Sequence, residues 1–120
     1  MAKKILIFED DPGYQELLTA LLAEYDLSVC ASVEEASKHF GSGIFDLILC
    51  DINLLGMSGF ELLQQMKDSG LNERIPFIFC SSQSDPGTKE RAMEMGATGF
   101  VAKPFDADAL TALVRSLLKL

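Results

Sequence analysis

Five apolar runs in this chain end in polar residues, and several of those residues are of types that bind metal ions and phosphate. The runs lie near residues 4–8, 27–30, 45–50, 76–80 and 99–102. Four of them are followed, in chain order, by Glu9 and Asp10, by Asp51, by Ser81 and Ser82, and by Lys103. If the runs are parallel strands, their carboxyl ends share the edge where open α/β sheets bind ligands. The carboxylates, hydroxyls and ammonium would then form one site.

The chemistry of that site follows from its charges. Three carboxylates placed together resist joint ionisation because like charges repel, and a divalent cation among Glu9, Asp10 and Asp51 removes the conflict. Since these ligand atoms are all oxygen, the set predicts Mg²⁺ that keeps part of its water. The Lys103 ammonium and the Ser81 hydroxyl add positive and hydrogen-bonding partners. The site therefore suits a phosphoryl group, whose three oxygens need such partners.

The elements that position these residues alternate between strand and helix along the whole chain. Strands are predicted near 3–8, 27–31, 45–50, 76–80 and 98–102. The helix starts are predicted at Asp11-Pro12, the capping box Ser32–Glu35, the capping box Ser58–Glu61, Asp85-Pro86 and Asp106. This alternation predicts a single α/β domain, a doubly wound (βα)5 fold with a five-stranded parallel sheet and right-handed crossovers.

Helical spacing also predicts which residues pack on the sheet. In the first helix they are Tyr14, Leu17, Leu18, Leu21, Leu22 and Tyr25, and in the last they are Leu110, Leu113, Val114, Leu117 and Leu118. The segment 52–57 after Asp51 is predicted to be a loop. His39, late in the second predicted helix, is interpreted as a surface residue.

Length and composition exclude several classes of function. A chain of 120 residues with a net charge of −8 is one domain, and the acidity argues against direct nucleic-acid binding. No apolar run approaches the roughly 20 residues that cross a bilayer, and the run after Lys4 is too short for a signal peptide. We therefore expect a cytoplasmic protein without membrane insertion. Cys30, Cys50 and Cys80 are interpreted as buried, reduced thiols.

Five segments, in order and at the expected spacings, resemble the response-regulator receiver domains of two-component signalling. They are Ile5–Pro12 (ILIFEDDP), Asp46–Asp51 (DLILCD), Gly56–Gly59 (GMSG), Pro76–Ser82 (PFIFCSS) and Lys103–Phe105 (KPF). The resemblance covers the whole chain and implies the flavodoxin-like strand order 2-1-3-4-5. The expected organisation is a receiver domain over residues 1–120 with no output domain, because the last predicted helix reaches the final residue.

The resemblance implies a role for each residue of the site. Asp51 would be the phosphoacceptor, Asp10 a direct Mg²⁺ ligand, and Glu9 a ligand acting through water. The main-chain carbonyl of Asn53 would be the third protein ligand. Lys103 would pair with a phosphoryl oxygen, aimed by a cis bond to the following proline.

Further residues would report the phosphorylated state and set its lifetime. Ser81 matches the switch hydroxyl, and Phe100 matches the aromatic side chain that turns inward with it. The backbone N–H of Ser82 would reach the phosphoryl group, while Asn53 and Gln83 occupy positions that tune hydrolysis. The switch would alter the surface of the fourth helix, fifth strand and fifth helix.

The resemblance also implies the partners. A sensor histidine kinase or a histidine phosphotransfer protein would donate the phosphoryl group. The downstream partner would be a protein target or a covalently linked output domain in a longer chain. On this interpretation the chain is not an enzyme and catalyses only its own phosphorylation and dephosphorylation.

Five positions depart from the family pattern. Leu55 stands where proline is usual, so the loop after Asp51 is expected to be looser or differently held. Ser58 replaces the usual Asp or Asn but still caps a helix. Phe100 lacks the hydroxyl of tyrosine. Thr98-Gly99 replaces an acidic pair found in many DNA-binding members, which weakens the case for pairing through the surface that they use.

Two other functions remain open from the sequence. One is a receiver-like protein-binding module that works without phosphorylation. The other is an enzyme on the same fold, either a phosphohydrolase with an aspartyl intermediate or a flavin protein. Against the enzyme, residues 9–11 would repel a flavin phosphate, and Asn53 stands where a phosphohydrolase would carry its second acid. Taken singly, each site residue also fits an ordinary turn or surface position.

Overall fold

The computed structural model describes residues 2–32, 45–54, 56–70, 75–83 and 85–118 of the chain. Its strands are β1 (Lys4–Phe8), β2 (Asp26–Cys30), β3 (Leu47–Cys50), β4 (Asn53–Leu54), β5 (Met57–Ser58), β6 (Phe77–Ser81) and β7 (Gly99–Ala102). Its helices are α1 (Pro12–Leu21), α2 (Gly59–Asp68), α3 (Pro86–Glu94) and α4 (Ala107–Leu118). The second predicted helix, with His39, and Leu55 lie outside the described residues.

Five of the strands form one parallel sheet in the order β2-β1-β3-β6-β7. The predicted sheet and its strand order are therefore confirmed. The chain moves outward from β1 to β2 and then returns to place β3 on the other side of β1. The carboxyl ends of β1 and β3 consequently flank the topological switch point, where ligands of such sheets bind.

Apart from Lys4 at the start of β1 and Ser81 at the end of β6, the inner strands are apolar because helices cover both faces of the sheet. Successive residues point to opposite faces. Toward α2 and α3 lie Leu6, Phe8, Ile48, Cys50, Phe77 and Phe79. Toward α1 and α4 lie Ile5, Ile7, Leu47, Leu49, Ile78 and Cys80. All three cysteines are buried thiols with no disulfide among the described residues, as predicted.

Four predicted helix starts are confirmed by side-chain caps. The capping residues are Asp11, Ser58, Asp85 and Asp106. In each case the side-chain oxygen accepts the backbone N–H of a residue two or three positions later, at 2.9 to 3.3 Å. These bonds satisfy N–H groups that have no partner within the helix, and so they fix where each helix leaves the carboxyl edge of the sheet.

Two sequence predictions were wrong in detail. The segment 52–57 is not a plain loop, because β4 and β5 pair as a short antiparallel hairpin in which Leu54 is opposite Met57. Gly56 lies at the turn with φ of 84°, a conformation that favours glycine. Leu17 is 43% exposed, because Leu18 and Leu22 form the stripe of α1 that faces the sheet. None of the described helices is long and apolar enough to cross a bilayer.

Candidate functional site

The site lies at the carboxyl edge of the sheet and is formed by residues that directly follow three of its strands. Glu9 follows β1, Asp51 follows β3, and Lys103 follows β7. The backbone N–H of Lys103 donates to the carbonyl of Ser81 at 2.9 Å, which anchors the end of β7 to that of β6. The peptide bond from Lys103 to Pro104 is cis, as the resemblance implied.

Lys103 joins the acids of β1 and β3. Its Nζ donates to Oε1 of Glu9 in a short contact and to Oδ2 of Asp51 at 2.9 Å. The side chains are 6% exposed at Lys103, 2% at Glu9 and 12% at Asp51. Because these charges are withdrawn from water, their attraction is much less screened than that of a surface ion pair. The predicted meeting of Glu9, Asp51 and Lys103 is therefore present.

The three acids differ in which oxygens are already bonded. One carboxylate oxygen from each of Glu9, Asp10 and Asp51 lies within 4.8 Å of the others. The second oxygen of Glu9 accepts the N–H of Asp11 at 3.2 Å, so both its oxygens are engaged. Oδ1 of Asp51 accepts the N–H of Asn53 at a longer 3.3 Å. No described residue bonds the Asp10 carboxylate, which leaves it the most available ligand of the cluster.

The pKa values follow from burial and pairing. Burial raises the pKa of Glu9, and the hydrogen bonds from Lys103 and from the N–H of Asp11 offset only part of that rise. Burial lowers the pKa of Lys103, but its hydrogen bonds to Glu9 and Asp51 outweigh burial, so the pKa is raised overall. The lysine is therefore an ammonium at neutral pH, and it carries the positive charge of the cluster.

Two residues of α1 also contact this cluster, although sequence analysis gave neither a role there. The Tyr14 ring lies over Lys103, with Nζ 4.2 Å from the ring centroid. Gln15 donates from Nε2 to the main-chain carbonyl of Glu9 at 2.5 Å. Both residues lie in the first turns of a helix that begins at the site. That position in the sequence could have predicted their contact with the site.

Gly59 lets α2 pack directly against the backbone at the end of β3. A Cβ at this position would lie 2.5 Å from the carbonyl oxygen of Asp51, 2.9 Å from Phe79 and 3.1 Å from Cys50 Sγ. Such contacts are too close to be relieved without moving backbone. Cys50 itself donates from Sγ to the same carbonyl at 3.0 Å. The start of α2 therefore fixes the position of Asp51, and only glycine fits there.

Of the predicted switch residues, Ser81 is the last residue of β6 and Phe100 is the second residue of β7. Ser81 is fully buried, and its Oγ accepts the N–H of Gln83 at 3.1 Å. Ser82 is exposed. Phe100 is partly buried, with its ring centroid 6.4 Å from that of Phe79. Among the described residues, no hydrogen bond joins Ser81 or Ser82 to the three acids.

Comparison of the sequence with known protein families identifies the family of this chain. The model of the response regulator receiver domain matches residues 5–115. The chain belongs to the response regulator receiver domain family. It is thus a receiver domain of two-component signalling systems, and the four charged residues stand at the carboxyl edge of its sheet.

Relatives in sequence and structure agree with this assignment. The chain is 32% identical over 114 residues to the transcriptional regulatory protein DltR of Streptococcus agalactiae, covering 93% of this chain and 50% of DltR. It is 32% identical over 116 residues to the transcriptional regulatory protein ZraR of Escherichia coli, covering 95% of this chain and 26% of ZraR. The chain therefore spans only half or a quarter of these curated relatives.

Among solved structures, a response regulator from Chloroflexus aurantiacus superposes with a TM-score of 0.90 at 30% identity, over 100% of both chains. The chemotaxis response regulator CheY4 of Vibrio cholerae superposes with a TM-score of 0.87 at 24% identity, over 98% of this chain and 99% of that one. At that identity, the second comparison supports the fold alone.

Proposed function

We propose that this receiver domain accepts a phosphoryl group on Asp51 from the phosphohistidine of a sensor kinase or phosphotransfer protein, with Mg²⁺. The observation that carries the proposal is the contact of Asp51 Oδ2 with Lys103 Nζ beside two further carboxylates. An acceptor needs a partly exposed carboxylate whose orientation is fixed. Asp51 meets that need, because it is 12% exposed and is held by Lys103 through Oδ2 and by the N–H of Asn53 through Oδ1.

The acidic cluster fits Mg²⁺, because its ligand atoms are carboxylate oxygens that lie close together. Asp10 would ligate directly, since no described residue bonds its carboxylate. Glu9 would act through water, because its side chain is only 2% exposed and one of its oxygens is held in a short contact with Lys103. Asp51 and the carbonyl of Asn53 would complete the protein ligands. The bound ion would offset the negative charge that collects on Asp51 and the phosphoryl oxygens.

The transfer is nucleophilic catalysis in which the protein keeps the product. A carboxylate oxygen of Asp51 attacks phosphorus and forms a new O–P bond, giving an acyl phosphate. The N–P bond to the donor histidine breaks, and its electron pair stays on the imidazole nitrogen. Lys103 then pairs with a phosphoryl oxygen, which its present contact with Asp51 supports. The backbone N–H of Ser82 would bind another.

The output would begin at Ser81. Its Oγ now accepts the N–H of Gln83, and on phosphorylation it would turn to the phosphoryl oxygen instead. Phe100 would move inward with it, changing the surface formed by α3, β7 and α4. That surface would be read by a downstream protein or by a covalently linked output domain of a longer chain. The change is a shift between two populations of one fold.

The proposal includes a cytoplasmic setting. The reduced thiols of Cys30, Cys50 and Cys80 suit a reducing compartment. The kinase domain of a two-component sensor would supply the phosphoryl group there.

Intact mass after incubation with acetyl phosphate tests the proposal, on the wild type and on Asp51→Asn, with and without Mg²⁺. We expect a gain of one phosphoryl group in the wild type with Mg²⁺ only. A gain that survives Asp51→Asn would move the acceptor to another residue. No gain in the wild type, with Mg²⁺ binding demonstrated separately, would contradict the proposed function.

A further inference from the structure

The Lys103 ammonium is enclosed on a third side by an aromatic ring. Its Nζ donates to Glu9 and Asp51, and the Tyr14 ring centroid lies 4.2 Å from the same atom. The Tyr14 ring in turn contacts Phe105, with centroids 5.9 Å apart and planes inclined by 45°. The cation is therefore held between two carboxylates and the ring of Tyr14.

We propose that Tyr14 is a positioning residue, whose ring holds the Lys103 ammonium against Asp51 and thereby speeds phosphoryl transfer to Asp51. This inference rests on the proposed function. It assigns a role in the chemistry to a helix residue whose spacing alone predicted packing on the sheet.

Packing does not account for the position of Tyr14. The side chains of Leu18 and Leu22 from the same helix are buried in the core between α1, α4 and the sheet. Tyr14 is only half-buried, and its ring lies at the rim with Pro104 and Phe105 rather than in that core. Its described ring contacts are the ammonium and Phe105.

The electrostatics of the ring explain what it contributes. An ammonium has three N–H groups, and two of those on Lys103 are donated to carboxylates. The negative face of an aromatic ring attracts a cation without accepting the directed bond that a carboxylate or water would accept. The ring therefore restrains Nζ and keeps water from it, while leaving the ammonium able to transfer a bond from Asp51 to a phosphoryl oxygen.

Three variants distinguish the effect of the Tyr14 ring from the effect of its hydroxyl and from the effect of trimming the helix surface. Tyr14→Phe keeps the ring, Tyr14→Leu replaces it with an apolar side chain, and Leu17→Ala trims an exposed neighbour on the same helix. We expect Tyr14→Leu to slow labelling by acetyl phosphate about three- to ten-fold at saturating donor, given the strength of such contacts. Tyr14→Phe and Leu17→Ala should label at the wild-type rate, and circular dichroism should show all three folded.

A nuclear magnetic resonance measurement tests the contact without any phosphoryl donor. The Hε protons of Lys103, assigned by their loss in Lys103→Met, should be shifted upfield by the ring in the wild type and in Tyr14→Phe. In Tyr14→Leu they should return to the range of exposed lysines. A wild-type shift within that range would overturn the inference.

The kinetic outcomes distinguish the inference from the function beneath it. If the wild type is labelled at Asp51 and Tyr14→Leu is labelled equally fast, the inference fails and the proposed function stands. If Tyr14→Phe is as slow as Tyr14→Leu, the hydroxyl matters and the ring account is wrong. If the wild type is not labelled at all, the proposed function fails, and the role of Tyr14 in transfer fails with it.

Discussion

Two parts of the site, which we call the Lys103 side and the Ser81 side, are built differently. On the Lys103 side, the ammonium of Lys103 binds both Asp51 and Glu9 at the edge of a buried acidic cluster and lies under the Tyr14 ring. On the Ser81 side, the Ser81 hydroxyl accepts the N–H of Gln83 and, among the described residues, makes no hydrogen bond to the three acids. Under the proposed function, Lys103 would already contact the acceptor before any phosphoryl group arrives. The Ser81 hydroxyl would have to exchange its bond to the N–H of Gln83 in order to respond.

This difference assigns the two sides separate tasks. The Lys103 ammonium already contacts Asp51 and would only have to shift one hydrogen bond to an adjacent phosphoryl oxygen, so the Lys103 side should control the rate of labelling. A bond that must be exchanged contributes to an equilibrium between two conformations, so the Ser81 side should control the response. Variants on the two sides should therefore fail in different measurements.

The largest effect is expected from Lys103→Met. The change removes the ammonium that meets Asp51, so labelling by acetyl phosphate should fall at least about 100-fold, as for loss of a preorganised electrostatic partner. The rate of mass gain measures it. Lys67→Met, at an exposed lysine in the last turn of α2, is the matched control and should label normally. Normal labelling of Lys103→Met would remove the basis for the comparison.

The next effect concerns the glycine that lets α2 approach Asp51. Gly59→Ala should lower the free energy of unfolding by about 1–3 kcal/mol, because its Cβ would overlap the Asp51 carbonyl and the core must shift. Denaturant unfolding measures the loss. The control is Gly87→Ala in the first turn of α3, whose Cβ would meet only Asp85 Oδ2 at 3.4 Å.

At Gly87 the substitution should raise the free energy of unfolding by about 0.4–1 kcal/mol, since alanine restricts the unfolded chain. Equal losses at the two glycines would show that the close packing around Asp51 is not special.

A smaller effect on labelling is expected from Ser81→Ala. Among the described residues, the hydroxyl makes no hydrogen bond to the acids, so labelling should fall far less than in Lys103→Met, while the response of Phe100 to phosphorylation should be lost. Hydrogen exchange across β7 and α3, with and without acetyl phosphate, measures that response. If Ser81→Ala labels as poorly as Lys103→Met, the Lys103 side and the Ser81 side do not have separate tasks.

The smallest effect concerns the loop after β6. Hydrogen bonds from the Thr88 side chain and from its N–H hold the pKa of Asp85 below its usual value. A lowered carboxyl pKa stabilises the fold above the unfolded-state pKa, and that stability is lost as pH falls through the folded-state pKa.

Asp85→Asn keeps a capping side chain but cannot titrate. Thermal unfolding is measured from about pH 7 to about pH 3. The melting temperature of the wild type should exceed that of Asp85→Asn at neutral pH, and the difference should disappear in acid. A difference in melting temperature that stays constant across this pH range would mean that the lowered pKa of Asp85 does not contribute to stability.

The sequence predicted the sheet and the meeting of Glu9, Asp10, Asp51 and Lys103 for one physical reason. Parallel strands covered on both faces are continuous apolar runs, and their ends must share an edge. The β4–β5 hairpin was missed because two-residue strands are too short for a period to appear.

The Tyr14 contact was missed for a different reason. It joins residues far apart in the chain, and helical spacing places Tyr14 and Leu17 with the core-facing residues. Helical spacing predicts which face of the helix a residue lies on. It does not predict where the neighbouring loop that carries Lys103 will lie.

Chemical trapping at residue 51 tests the central claim most directly. Borohydride reduces an aspartyl acyl phosphate to homoserine, and peptide mass spectrometry then locates the converted residue. After incubation with acetyl phosphate and Mg²⁺, we expect homoserine at position 51 in the wild type and nowhere in Asp51→Asn. Conversion at position 9 or 10, or at no position in a protein that binds Mg²⁺, would contradict the assignment of Asp51 as the acceptor.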